Sequence, residues 1–112
     1  MYVLINNRKI EIHDCDDFYS RFKGLMFTNQ FDYGLRFSEC NSIHTFFMMK
    51  NIDVVMTDKD NNVLYIYRNV RPWRVILPKR NVFHTYEFPS GTIKRDIKKI
   101  NVKGLIDAVG KK

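Results

Sequence analysis

No stretch of the chain approaches eighteen consecutive apolar residues, so no membrane-spanning helix is expected. Cysteine is scarce: Cys15 and Cys40 are the only two, too few for a disulfide-stapled scaffold. The opening "MYVLINNRKIEIHD" lacks a charged segment followed by an apolar block, so no secretion signal is expected and a reducing cytoplasm is the expected location. Also missing are a Gly-x-x-x-x-Gly-Lys phosphate loop, a Gly-x-Ser-x-Gly elbow and a glycine-rich dinucleotide turn. Their absence leaves nucleotide chemistry and the common serine hydrolases without a sequence basis, and no cofactor is expected. There is no internal repeat, low-complexity tract or linker. The 112 residues form a single domain.

Acidic residues are unevenly withheld. Residues 1–67 carry seven Lys/Arg and nine Asp/Glu, a balance of −2; residues 68–112 carry twelve and three, a balance of +9. The second portion therefore presents a positive field that could attract nucleic acid, an anionic surface or an acidic partner.

What is present is apolar and aromatic: 45% hydrophobic residues can fill one core. "YVLI" and "KIEI" flank "NNR" and predict a hairpin, because Asn tolerates the positive φ of a tight turn. "YGLRF", "IDVVMTD", "NVLYIYRNV", "PWRVIL", "VFHTYEF" and "GLIDAV" are further candidate strands. Phe18, Phe22 and Leu25 recur at helical spacing, which predicts one short helix within residues 14–26. Asp14, Asp16 or Asp17 could cap it and Gly24 could end it. "IKRDIKKI" could add a single helical turn. Asp58, Asp60 and Asn61 in "DKDNN" read as a turn, since a calcium loop needs a central Gly and a twelfth-position Glu. Strands do not alternate with helices, so the expected fold is mainly β: a small antiparallel β-sandwich or barrel with one short helix near the N-terminus.

Three stretches, in order, carry a resemblance. "FYSRFKGLMF" contains Arg-x-x-Gly-Leu-Met, "NSIHTFFMMKNIDVVMTDKDNNVLYI" joins an aromatic run to an Asp-led strand, and "YEFPSGTI" ends a strand in Glu-x-Pro-x-Gly. Together they resemble the bacterial and archaeal family called domain of unknown function 192, from about Phe18 to about Gly104. The resemblance implies a compact, mainly β fold with no established activity. By position it marks Arg21, Gly24, Leu25, Met26, His44, Thr45, Asp53, Glu87, Pro89 and Gly91. Asn51 stands where the family often has proline, and Gly104-Leu105 where it often has Gly-Asp. Many relatives have Trp at the position of His44, which suits aromatic packing better than a proton-transfer role. Many also carry export signals, and none is legible here.

Arg21, His44, Thr45, Asp53 and Glu87 are the candidate binding or structural cluster. An arginine fork could bind Asp53 or Glu87 and tie helix to sheet, or line a polar-ligand site. His13, Cys15, Cys40 and His44 could ligate zinc only if the first hairpin met the later loop; their spacing matches no common zinc module, so no metal is expected. Arg68, Arg71, Arg74, Lys79 and Arg80, interleaved with Trp73 and Phe83, are candidate polyanion contacts, with bases stacking on the aromatics. Three functions stay open. The first is a binding or accessory module with a groove near His44, Arg21 and Glu87, for an unidentified small ligand or protein partner. The second is a nucleic-acid-binding module using basic residues 68–103. The third is a small hydrolase or metalloenzyme, in which Asp53 and Glu87 would act as a carboxylate pair; no motif supports that reaction.

Overall fold

The computed structural model of the chain describes residues 1–15 and 31–103. Among the described residues there are nine strands: β1 Tyr2–Ile5, β2 Arg8–Asp14, β3 Gly34–Ser38, β4 Ile43–His44, β5 Ile52–Thr57, β6 Val63–Val70, β7 Val75–Ile76, β8 His84–Pro89 and β9 Asn101–Lys103. Seven of them form one sheet in the order β6-β5-β8-β3-β2-β1-β9, while β4 and β7 pair separately. The large sheet curls until its edges touch at one end. There Asn62 bridges Lys99, the Val63 amide donates to the Lys98 carbonyl and the Ile100 amide donates to the Asn61 carbonyl. The result is a half-barrel.

Turn chemistry sets the first hairpin. Asn6 and Asn7 both take positive φ, 52° and 66°, which matches the twist of the flanking strands and locks Val3 opposite Ile10. At the β5–β6 turn, Asn61 has φ 66° and the Asp58 carboxylate accepts the amides of Asp60 and Asn62, so the "DKDNN" acids serve their own turn.

The pattern of burial differs from a simple sandwich. Every residue of β5 is buried, and β8 is buried from His84 to Phe88. These strands are packed on both faces, which is why polar–apolar alternation fails in "IDVVMT" and "HTYEF". One face carries Val3, Ile5, Ile10, Ile12, Val55, Tyr86, Phe88, Ile93 and Ile100. The other carries Leu35, Phe37, Met48, Ile52, Val54, Met56 and Ile76, covered in part by β4 and β7.

Several expectations need correction. The sheet is not wholly antiparallel: β2 and β3 run parallel, Ile12 beside Gly34. Among the described residues there is no helix. The helix expected within residues 14–26 lies, apart from Asp14 and Cys15, outside the described residues. Asp14 itself ends β2, and its carboxylate receives both Nε and Nη2 of Arg36 at 2.6 and 2.8 Å, which makes it an ion-pair partner. "IKRDIKKI" is irregular rather than helical. "PWRVIL" contributes only Val75–Ile76, because Pro72 and Trp73 form a turn. "GLIDAV" lies outside the described residues.

Gly34 stands where the parallel pair crosses the core. A Cβ there would come within 2.7 Å of Ile12 Cδ1 and 2.8 Å of the Phe88 ring. Gly34→Ala should therefore lower the urea midpoint by the equivalent of about 1–3 kcal/mol with little change in slope. An unchanged midpoint would show that Ile12 and Phe88 can move aside without loss.

Candidate functional site

The marked residues separate into distinct roles. Asp53, almost wholly buried on β5, accepts the Asn69 amide on Oδ1 at 2.9 Å, and the Gly91 and Ile93 amides on Oδ2 at 3.1 and 2.9 Å. It thus joins β5, the end of β6 and the turn after β8. The same turn explains "EFPSGTI": Gly91 has φ +91°, a backbone that L side chains rarely adopt, and its amide faces the carboxylate. Asn51 reinforces the joint by donating to the Asn69 side chain, which also accepts from Ser90.

Thr45 is a second buried clamp. Its hydroxyl donates to the Arg71 carbonyl at 2.7 Å and accepts the Arg74 amide at 2.8 Å. Its backbone amide donates to the Arg74 carbonyl, and its carbonyl accepts from Trp73. The loop 71–74 is therefore fixed from both sides, with Trp73 at φ 63° and 57% exposed. His44 is half-buried; its ring stacks on Phe46 at 4.8 Å and its Nδ1 accepts the Phe46 amide. Phe46 and Phe47 both lie against Trp73, making an exposed aromatic group.

Glu87 is 95% buried, and no hydrogen bond or ion pair joins it to another described residue. Its register neighbours are Leu35 on β3 and Val54 on β5. Desolvation pushes its carboxyl up to about 8, so it is mostly protonated at neutral pH. Because Val54 is level with Glu87, Asp53 points to the opposite face of the sheet. The expected cluster is thus divided: Asp53 and Glu87 cannot flank one scissile bond or grip one arginine together. Arg21 lies outside the described residues.

The zinc candidates are also engaged separately. His13 stacks on Tyr33 and bonds Glu11, Cys40 Sγ contacts the Ser42 carbonyl, and Cys15 is buried against Leu35 and its neighbours. Among the described residues, no three such side chains converge.

The basic segment does converge. Arg71, Arg74 and Lys79 line a groove of about 590 Å³ with Tyr67, Asn69, Val70, Val75, Ile76 and Leu77. Lys79 lies 5.9 Å over the Tyr65 ring, so the groove follows β6 with residues 74–79 opposite. Among the described residues none of these three cations has a carboxylate partner. Arg68 is diverted: it donates to the Ile93 carbonyl and pairs with Asp96. Arg80 is exposed and does not line the groove, and half-buried Phe83 packs edge-on to His84.

Sequence reasoning missed the polar ties between β3 and β8. Ser38 Oγ is 2.9 Å from His84 Nδ1. Desolvation first, then the Arg36 charge, lowers the His84 pKa. The signal was available only as a register, Ser38 opposite His84, and register is not written in a single strand.

Fold and site together define a small, mainly β domain with a cationic surface groove. The chain belongs to the DUF192 family, whose model, described as Uncharacterized ACR, COG1430, matches residues 1–101. A UPF0127 protein of Thermococcus sibiricus is 42% identical over 84 residues, which are 70% of this chain and 54% of that protein. The chain thus spans about half the length of several curated relatives that it matches. A UPF0127 protein of Pyrococcus abyssi is 32% identical over 106 residues, covering 84% of this chain and 88% of that one. A solved structure from Sinorhizobium meliloti 1021 superposes with a TM-score of 0.76 at 19% identity, over 93% of this chain and 91% of that one. That likeness is one of fold. The family is uncharacterised and its name carries no activity.

Burial of Glu87 has a pH consequence. Its folded pKa, about 8, lies above the ordinary 4.5. Below about 4.5 both folded and unfolded chains hold the proton. As pH rises from there toward about 8 only the unfolded chain releases it, so stability falls, by at most about 1.4 kcal/mol per pH unit. His84 acts in the opposite sense, its lowered pKa making stability rise as pH climbs toward 6.5. The difference between wild type and Glu87→Gln isolates the carboxyl. Urea titrations from pH 4.5 to 8.5 should show the variant gaining on wild type as pH rises; a pH-independent difference would mean that Glu87 ionises normally.

Proposed function

We propose that the chain is a binding module for an anionic ligand, held in the groove between β6 and residues 74–79. The observation that carries this reading is the convergence of Arg71, Arg74 and Lys79 on an apolar-floored groove where, among the described residues, no carboxylate pairs with them. Cations so arranged have their charge available for a ligand, and the clamp on the 71–74 loop means that little ordering is needed on binding. The groove expected near His44, Arg21 and Glu87 is shifted in this reading: His44 adjoins it through its pairing with Val75, while Glu87 belongs to the covered face of the sheet. A hydrolytic role loses its geometric basis with Asp53 and Glu87 on opposite faces. A reducing compartment belongs to the same proposal; no helix among the described residues is long and apolar enough to cross a membrane.

A nucleic-acid ligand is the second reading, and the exposed Trp73 between Arg71 and Arg74 favours it, since a base could stack there while phosphates meet the cations. The Sinorhizobium meliloti structure is described as a candidate transcription regulator, a description that at 19% identity adds no weight here.

The test is fluorescence anisotropy with labelled single-stranded and duplex oligonucleotides at low and physiological salt. The expected result is weak binding without sequence preference. Three phosphate contacts should give a slope of about −2 in log affinity against log salt on single strands. Replacing Arg71, Arg74 and Lys79 together with Gln should abolish it. No binding at low salt, or equal binding by the triple variant, would sink the proposal. Submicromolar binding that survives physiological salt and is lost in Trp73→Ala would promote the nucleic-acid reading.

A further inference from the structure

We infer that the occupant of the groove is an extended acidic peptide of a partner protein, which adds to the outer edge of β6 as a further strand. This rests on the anionic-ligand reading above and names its partner class. Among the described residues β6 is the longest strand, eight residues, and stands at the end of the sheet order. Only its first residue reaches across to the opposite edge, through the Val63 amide and the Lys98 carbonyl. Among the described residues, no backbone hydrogen bond leaves residues 64–70 on the side away from β5.

Exposed edges of this kind invite pairing, and proteins that must stay unpaired blunt them with inward charges, proline or short strands. Here the edge reads Leu64-Tyr65-Ile66-Tyr67, without proline or lysine, and Leu64 and Tyr65 are exposed. Arg68 does not guard it, being held by Ile93 and Asp96. The irregularities in the β5–β6 ladder fall on either side of Tyr65–Tyr67, which keep regular pairing.

The groove lies beside this strand. Lys79 sits by Tyr65 at one end and Arg71 lines the other, a span of six residues or roughly 20 Å of strand. An added strand of about that length would turn alternate side chains toward the groove and away from it. Carboxylates on the side turned toward the groove could meet Arg71, Arg74 and Lys79. Its main chain would pair with those amides and carbonyls of residues 64–70 that face away from β5. A nucleic acid could use the cations and Trp73 but would leave that edge unpaired, so the peptide accounts for one feature more.

The experiment uses the full chain and three labelled probes: a peptide alternating Glu and Val, the same peptide N-methylated at every second residue, and a single-stranded oligonucleotide. N-methylation keeps the charge and removes the amide donors along one edge. The inference predicts that the plain peptide binds at least about tenfold more tightly than the N-methylated one. It also predicts that the plain peptide slows amide exchange within residues 64–70. Equal binding of the two peptides would overturn strand addition and leave the anionic groove standing. Binding of the oligonucleotide but of neither peptide would overturn the inference in favour of nucleic acid. Binding of none would overturn this inference and the reading beneath it together.

Discussion

Asp53 accepts three backbone amides from two separate parts of the chain, and the surface around the groove depends on that acceptance. A buried carboxylate without such donors would be costly, whereas charge-assisted hydrogen bonds contribute about 1.5–3 kcal/mol each. By holding Asn69, it fixes where β6 ends; by holding Gly91 and Ile93, it fixes the turn that leaves β8. The chain leaves β6 directly into Arg71, Trp73 and Arg74, and there Thr45 takes over, bonding the loop from β4. Two buried side chains, eight positions apart, therefore set the geometry of Arg71 and Arg74, while the Lys79 amide is held by the Asn41 carbonyl.

The same strand explains why Asp53 and Glu87 do not form one carboxylate pair. A strand buried on both faces sends adjacent side chains to opposite sides. Asp53 reaches the turn around Gly91, while the neighbouring Val54 packs level with Glu87 on the other face. Glu87, lacking donors among the described residues, holds its proton instead of its charge. One carboxylate is satisfied by amides and the other by protonation, and neither is placed to act on the other's ligand.

Much of the fold could be read from local chemistry. Asn6-Asn7 specified a hairpin, β-branched and aromatic runs specified β3, β5, β6 and β8, and "DKDNN" specified its turn. Hidden features were those that depend on pairing between distant segments: the parallel β2–β3 contact, the two-residue β4–β7 ladder, the Asp14–Arg36 pair and the Ser38–His84 tie. The resemblance marked Asp53, Thr45, Glu87 and Gly91, yet it could not separate anchor from site. Among the described residues Asp53 is met by backbone amides, and Arg21, the arginine expected beside it, lies outside them. The cations were legible as a cluster in sequence; only the geometry divided Arg71, Arg74 and Lys79 from Arg68, which faces Asp96.

The central claim is that Asp53 holds the end of β6 and, through it, the groove. Residue-resolved amide exchange in Asp53→Ala, compared with wild type under conditions where both stay folded, tests it most directly. The account predicts that protection is lost together at Asn69, Gly91 and Ile93 and falls along residues 71–79, while the β1–β2 hairpin keeps its protection. Unchanged protection at those three amides, or a loss no greater there than in the hairpin, would contradict it.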